Sequence, residues 1–116
     1  MNKRTLTNYE IFDYVYKIHS RQQDFDEGDL EDRIYKFSKY ILTKLPVKRL
    51  YEENNWQIDD HKVKKYINLG STLPPIVYDK VNYEIIDGSH RVAVAYQRGL
   101  KFINAYVGTK ENLTEY

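Results

Sequence analysis

The chain has 116 residues, of which 41% are hydrophobic and 30% charged, and its formal net charge is +1. This length predicts one compact domain, and the near-neutral charge gives no global reason to expect nucleic-acid or membrane binding. The sequence contains no cysteine, which excludes disulfides, thiolate metal sites and cysteine nucleophiles. No apolar run approaches the roughly 20 residues that cross a bilayer, and the first residues lack a secretory signal, so we expect a cytoplasmic protein.

The first third of the chain predicts a helical hairpin. Residues 8 to 22 carry apolar side chains at helical spacing, and an acidic loop follows. Asp29 is expected to cap a second helix, which Pro46 ends. The apolar residues of this second helix follow i, i+4, i+7 and i+11, namely Leu30, Ile34, Phe37 and Ile41. We expect the pair to pack on the rest of the protein, and the alternative is a docking surface for a partner protein.

The middle of the chain predicts a strand and a third helix. Val47 to Tyr51 is expected to form the strand, and the polar residues 52 to 55 end it. Asp59 or Asp60 is expected to cap the helix. One side of this helix carries three lysines, Lys62, Lys64 and Lys65. Such a run usually indicates a solvated face, and the alternative is a contact with nucleic acid.

The last third predicts a strand–turn–strand–helix–strand order. Ile76 to Tyr78 and Tyr83 to Ile86 are expected to pair as antiparallel strands around a short turn. A helix begins near His90 and stops at Gly99, because glycine favours the conformation that follows a helix. Residues 102 to 107 predict a last strand, and residues 108 to 116 are expected to fray.

The turn from Asp87 to Arg91 concentrates the polar chemistry of the chain. A helix start offers unpaired N–H groups and partial positive charge, which attract anions. Gly88 lets a ligand approach the backbone, and Arg91 offers a planar fork of donors that suits phosphate. Ser89 adds a donor or a helix cap, and His90 can donate, accept or carry a proton. These features predict a phosphate site, and the alternative is an ordinary turn with a capped helix.

The stretch from Leu45 to Val107 resembles the ParB/sulfiredoxin superfamily. The resemblance rests on the Pro-Ile-Val strand, the Tyr-Glu-Ile-Ile-Asp-Gly return, the His-Arg pair at the helix start and the Arg-Gly-Leu at the helix end. It implies an α+β fold, with a small ParB/sulfiredoxin-like domain and a compact mixed sheet in residues 45–116. Residues 1–44 then form an N-terminal helical extension, and the two parts are expected to make one compact unit.

The branches of this superfamily differ at the turn. Sulfiredoxins place their catalytic cysteine where this chain has Ser89, which argues against sulfinic-acid reduction. ParB partition proteins bind and hydrolyse CTP, but they carry a glutamate and paired arginines at this motif. The free-serine kinases resemble the chain more closely, in Asp-Gly-x-His-Arg, and they use a glutamate after the first strand as base. Glu52 and Glu53 stand at about that place here, and other members of the superfamily are described as nucleases.

The resemblance implies a nucleotide-binding protein, a phosphotransferase or NTPase that uses ATP, ADP or CTP with Mg²⁺. The phosphates would lie against Asp87, Gly88, Ser89, His90 and Arg91. Glu52 or Glu53 would act as the base toward a small hydroxyl acceptor, and His90 would donate a proton. Asp87 would hold Mg²⁺ through water or cap the helix, and no protein metal site is predicted. The alternatives are a ParB-like nuclease or DNA-binding module, and a non-catalytic interaction module on the same fold.

Overall fold

The computed structural model describes residues 4–18, 27–54 and 73–114 of the chain. The elements are β1 (Thr5–Thr7), α1 (Asn8–Ile18), α2 (Glu27–Tyr35), β2 (Lys39–Pro46), α3 (Val47–Asn54), β3 (Ile76–Asp79), β4 (Glu84–Asp87), α4 (Ser89–Gln97), β5 (Phe102–Gly108) and a 3-10 turn (Lys110–Asn112). The strands form one sheet in the order β1-β2-β5-β3-β4. Strands β3 and β5 are parallel, and the other neighbours are antiparallel. The predicted α+β class, with a compact mixed sheet and two N-terminal helices, is confirmed.

Helices cover both faces of this sheet. Successive side chains of a strand point to opposite faces, so Val77 faces one layer of helices while Ile76 and Tyr78 face the other. On the first face α1 and α2 bury Ile11, Val15, Leu30 and Ile34. On the second face α3 and α4 bury Val47, Leu50, Val92 and Ala95. The expected packing of the N-terminal helices on the rest of the protein is confirmed.

The second N-terminal helix is shorter than the apolar spacing predicted. Helix α2 begins before the expected cap, Asp29, and it ends before Phe37 and Ile41. Phe37 forms an isolated bridge, and Ile41 lies within β2. The prediction of a helix that continues to Pro46 was wrong, because residues 39–46 pair with two neighbouring strands. Their β-branched and aromatic side chains suit an extended chain.

The strand predicted at residues 47–51 was also wrong, because these residues begin helix α3. Leu50 and Asn54 are buried one helical turn apart. The ring of Tyr51 stacks on Tyr96 of α4, with centroids 4.1 Å apart and planes inclined by 5°. Packing between the two helices thus favours the helical periodicity of this stretch over its extended alternative.

The hairpin and helix of the last third are confirmed. The Asp79 carboxylate accepts hydrogen bonds from the backbone N–H groups of Val81 and Asn82, at 2.8 and 3.0 Å, and this fixes the turn between β3 and β4. Gly99 follows α4 with a φ of 72°, as a helix stop requires. The predicted fraying was wrong up to residue 114, since the Thr114 N–H donates to the Lys36 carbonyl at 2.8 Å.

Other predictions lie outside the described residues. The third helix, with Lys62, Lys64 and Lys65, falls in residues 55–72, and the end of the first helix falls after Ile18. The division of the chain at residue 44 stays a prediction, and β2 runs across it from Lys39 to Pro46. Within the ranges that the structure describes, every helix is too short or too polar to cross a membrane.

Candidate functional site

Helix α4 begins at a glycine that no other residue could replace without strain. Gly88 occupies the N-cap position with φ 109° and ψ 19°, in the left-handed region that residues with a side chain rarely adopt. A Cβ atom at this position would lie 2.5 Å from Cγ2 of Ile76 and 2.8 Å from Nη2 of Arg91. The backbone therefore passes tightly between β3 and the arginine before the helix starts.

The first turn of α4 presents groups that can attract an anion. Because Gly88 is the N-cap, no side-chain hydrogen bond caps the helix from that position. The first turn also contains no acidic residue. Ser89 and His90 are its first two residues, and both are half-buried. The predicted cap by Ser89 is not observed, so the hydroxyl stands beside the positive end of the helix dipole instead.

The Arg91 side chain is buried and donates hydrogen bonds to three other residues. Its Nη2 donates to Oδ2 of Asp87 at 2.6 Å, and the two side chains are only 9% and 10% exposed. Its Nη1 donates to the carbonyls of Pro74 and Pro75, at 3.2 and 2.9 Å. The guanidinium thus ties the segment before β3 to the end of β4 and to the start of α4. These contacts hold the shape of the turn, and the Asp87 carboxylate neutralises much of the charge of Arg91.

Tyr14 brings the N-terminal helix α1 into the same network. Its hydroxyl donates to the Pro75 carbonyl at 2.6 Å, so this carbonyl accepts from both Tyr14 and Arg91. Burial raises the pKa of Tyr14, and the neighbouring Arg91 guanidinium offsets part of that increase. Sequence reasoning missed this contact, because no local pattern links a helix residue to a carbonyl 61 positions later.

The structure places Glu53 in a cleft at the far end of β4 from the start of α4. Glu52 and Glu53 both lie on α3, where Glu53 lines an open cleft of 430 Å³ beside Tyr83 and Glu84. Glu84 begins β4, whereas Gly88 follows its other end. Four residue steps separate these two positions, about 13 Å at roughly 3.3 Å per residue. Asp87 to Arg91 therefore form one local group, and Glu53 belongs to another part of the surface, while the role expected for Glu52 stays a prediction.

The cleft at the Glu84 end of β4 has its own chemistry. The Arg49 Nε donates to Oε1 of Glu53 at 2.8 Å, and the guanidinium carbon lies 6.0 Å from the Tyr83 ring centroid. The Tyr78 hydroxyl lies 3.5 Å from the other Glu53 oxygen. Burial, and then the Glu53 charge, raise the pKa of Tyr78 to about 12. Tyr83 has a φ of 56°, which is rare for an aromatic residue.

Sequence reasoning missed Arg49, Tyr78 and Tyr83. The four-residue spacing of Arg49 and Glu53 was a usable signal, but only for a helix, and the stretch was expected to be extended. Within the described ranges, no group of three histidine, aspartate or glutamate side chains could hold a metal ion.

Comparisons with known proteins give one similarity. No family model matches the chain, and no curated protein matches it. Among solved structures, the chain is similar to the crystal structure of sulfiredoxin from Arabidopsis thaliana. The two share 25% sequence identity, the match covers 61% of this chain and 90% of that chain, and the TM-score is 0.40. The resemblance to the free-serine-kinase branch stays a prediction.

Proposed function

We propose that the protein binds a nucleotide, ATP, ADP or CTP, with its phosphates at the start of α4. The observation that supports this most is the form of that helix start: an N-cap glycine, which supplies no side-chain cap of its own, and no acidic residue in the first turn. Helix N-termini of this kind attract phosphate through their N–H groups and their dipole. The Asp-Gly-Ser-His-Arg sequence, which resembles the nucleotide motif of the superfamily, supports the same position.

The side chains at this turn fit a phosphate better than a metal ion. Ser89 offers a hydroxyl donor and His90 an imidazole donor, next to the backbone N–H groups of the first turn. Asp87 is engaged with Arg91 at 2.6 Å, so its carboxylate is poorly placed to ligate Mg²⁺ directly. In this proposal Mg²⁺ enters with the nucleotide phosphates and water. Arg91 holds the turn in shape. Because Asp87 neutralises much of its charge, Arg91 attracts the phosphate only weakly.

The reaction that this site would support is phosphoryl transfer, to water or to a small hydroxyl acceptor. A bound nucleotide supplies the phosphoryl group. A general acid or base must lie within hydrogen-bond reach of the group that it serves. His90 is the second residue of α4 and lies next to the proposed phosphate position, whereas Glu53 lines a cleft at the other end of β4. We therefore propose His90 as the residue that moves the proton; the base role expected for Glu53 loses support, and that of Glu52 stays a prediction.

Thermal unfolding with ATP, ADP, CTP and inorganic phosphate, each with and without Mg²⁺, tests the binding. A ligand at 100 times its dissociation constant should add about 2.7 kcal/mol to the free energy of unfolding. Ser89→Glu is the informative variant, because it places a carboxylate where the phosphate is proposed to bind. It should raise the stability of the ligand-free protein by about 0.3–1 kcal/mol through the helix dipole and should abolish the ligand-induced shift.

Gln97→Glu is the matched control, since it makes the same charge change at the other end of α4. We expect it to lower ligand-free stability slightly and to leave the ligand-induced shift intact. No shift with any ligand in the wild type would refute the proposal. An equal shift in wild type and Ser89→Glu would show that the nucleotide binds elsewhere. If binding is found, phosphate release and transfer should then be lost in His90→Ala and kept in Glu53→Gln.

A further inference from the structure

A row of four aromatic rings runs along α1 and α2, with an exposed tyrosine at each end and two half-buried rings between them. We call it the aromatic row, and it consists of Tyr9, Phe12, Tyr16 and Tyr35. The ring centroids of Tyr9 and Tyr35 are 5.3 Å apart, those of Tyr35 and Phe12 are 6.0 Å apart, and those of Phe12 and Tyr16 are 6.4 Å apart. Tyr9 is 73% exposed and Tyr16 is 46% exposed. Exposed aromatic rings next to one another are typical of interaction surfaces.

The two end tyrosines of the aromatic row lie on the side of α1 away from the core, while Phe12 packs against the core. Ile11 and Val15 point into the sheet layer and are fully buried. Tyr9 and Tyr16 follow each other at a spacing of seven residues, two helical turns apart on the opposite side. Phe12 therefore holds the row against the core, and the two outer tyrosines contact solvent.

Carboxylates flank the aromatic row on both helices. The sequences of α1 and α2 contain six acidic and two basic residues, although the whole chain has a net charge of +1. Asp13 is exposed on the α1 side, where it pairs with Lys17 at 3.1 Å. Glu31 is exposed on the α2 side, close enough to Tyr35 that its charge adds to the effect of burial in raising the pKa of that phenol. Arg33 is directed away, to the Ile85 carbonyl.

We propose that the aromatic row binds a segment of a partner protein rich in arginine or lysine. Aromatic faces attract guanidinium and ammonium groups, and the long stems of these side chains pack on the rings. Asp13 and Glu31 then provide carboxylates for the charged ends. The same carboxylates would repel the phosphates of a nucleic acid, although tyrosine rings alone could stack on bases. This surface is separate from the start of α4, so the inference does not depend on nucleotide binding.

A labelled peptide of alternating arginine and glycine, eight residues long, tests the proposal by fluorescence anisotropy with the full chain. We expect saturable binding that weakens as salt rises from about 50 to about 300 mM, because dissolved ions screen the attraction between exposed charges increasingly over this range. Tyr9→Ala should weaken binding about threefold and Tyr9→Phe should restore it, because the ring face carries the interaction. Glu31→Gln should weaken binding by about the same factor and reduce the salt dependence.

The matched controls remove similar groups from other surfaces. Phe102→Ala deletes an exposed ring on β5 opposite Pro46, and Glu52→Gln neutralises an exposed carboxylate on the opposite layer of helices. Both controls should bind the peptide as the wild type does. Failure of the wild type to bind, or wild-type affinity in both Tyr9→Ala and Glu31→Gln, would overturn the proposal. Tighter binding of a single-stranded oligonucleotide than of the peptide at the same row would also overturn it.

Discussion

The two ends of strand β4 carry the same two features, but these are buried at one end and exposed at the other. Each end has an arginine and a carboxylate four residues apart, Asp87 with Arg91 and Arg49 with Glu53. Each end also has a residue with positive φ, Gly88 at 109° and Tyr83 at 56°. At the Asp87 end the paired side chains are 9% and 10% exposed, and at the Glu84 end they are 65% and 30% exposed.

This difference separates a rigid turn from an adaptable cleft. Buried charges depend on each other, because removing one leaves the other without water and without a partner. Exposed charges are hydrated whether or not they pair, so their loss costs little. We infer that the backbone at the Asp87 end is held fixed, whereas the side chains at the Glu84 end are able to rearrange.

The largest expected effect is that of Asp87→Asn. The change keeps the shape of the side chain but removes the charge that faces Arg91, so the buried guanidinium loses its compensation. We expect the free energy of unfolding to fall by about 3–5 kcal/mol in urea denaturation. Glu53→Gln, the same chemical change at the other end of β4, should cost less than about 1 kcal/mol. Similar losses in the two variants would show that burial does not distinguish the pairs.

The second prediction concerns the two residues with positive φ. Gly88→Ala would force a Cβ to within 2.5 Å of Ile76 and would place alanine in the left-handed region. Strain and overpacking together should cost about 2–4 kcal/mol. Tyr83→Gly makes the reverse change. It relieves backbone strain but loses the ring contact and adds entropy to the unfolded chain, so the free energy of unfolding should change by no more than about 1 kcal/mol.

Urea denaturation of both variants measures this contrast. A stable Gly88→Ala protein would mean that β3 can move aside, and the tight passage of the backbone would then not be needed for the turn. A large loss in Tyr83→Gly would mean that the Tyr83 ring stabilises the cleft far more than its exposed position suggests.

These contrasts also show which parts of the protein were predictable. The hairpin and α4 followed from local signals, because Asp79, Gly88 and Gly99 mark their ends. The β2–α3 region did not, since Ile41 and Leu50 fitted two periodicities and only packing decided between them. The wrong prediction of a strand at residues 47–51 also gave a wrong position for Glu53. Residues 47–54 form a helix, and this helix places Glu53 at the far end of β4.

The turn itself shows a second limit of sequence reasoning. Its residue types were predicted as a group, and the structure keeps Asp87 to Arg91 together. Their individual roles depend on orientation, which residue type does not reveal. Arg91 suits phosphate by its chemistry, yet the two proline carbonyls and Asp87 hold it inside the protein.

The third prediction is a pH effect at the cleft. The pKa of Tyr78 is about 12 in the folded protein, above its ordinary value of 10.0, because burial and the Glu53 charge disfavour the phenolate. A raised pKa means that the neutral phenol stabilises the fold fully below pH 10 and that this contribution is lost between about pH 10 and 12. Tyr78→Phe should therefore lose less stability than the wild type over this range.

Denaturation at several pH values measures the difference between the two proteins, and Tyr9→Phe is the control at an exposed tyrosine. Parallel stability curves for wild type and Tyr78→Phe would contradict the prediction. A curve for Glu53→Gln that lies between them would show how much of the effect comes from the carboxylate rather than from burial.

The smallest expected effect is the coupling between Arg49 and Glu53. A double-mutant cycle with Arg49→Ala and Glu53→Ala should give a coupling energy of about 0.2–1 kcal/mol, because both side chains keep much of their hydration. At 1 M salt the screening length falls to about 3 Å, so the coupling should shrink further. A coupling above about 2 kcal/mol that persists at high salt would show that the Glu84 end is as fixed as the Asp87 end. The charges of the cleft would then be held in place by the fold, as those of Asp87 and Arg91 are.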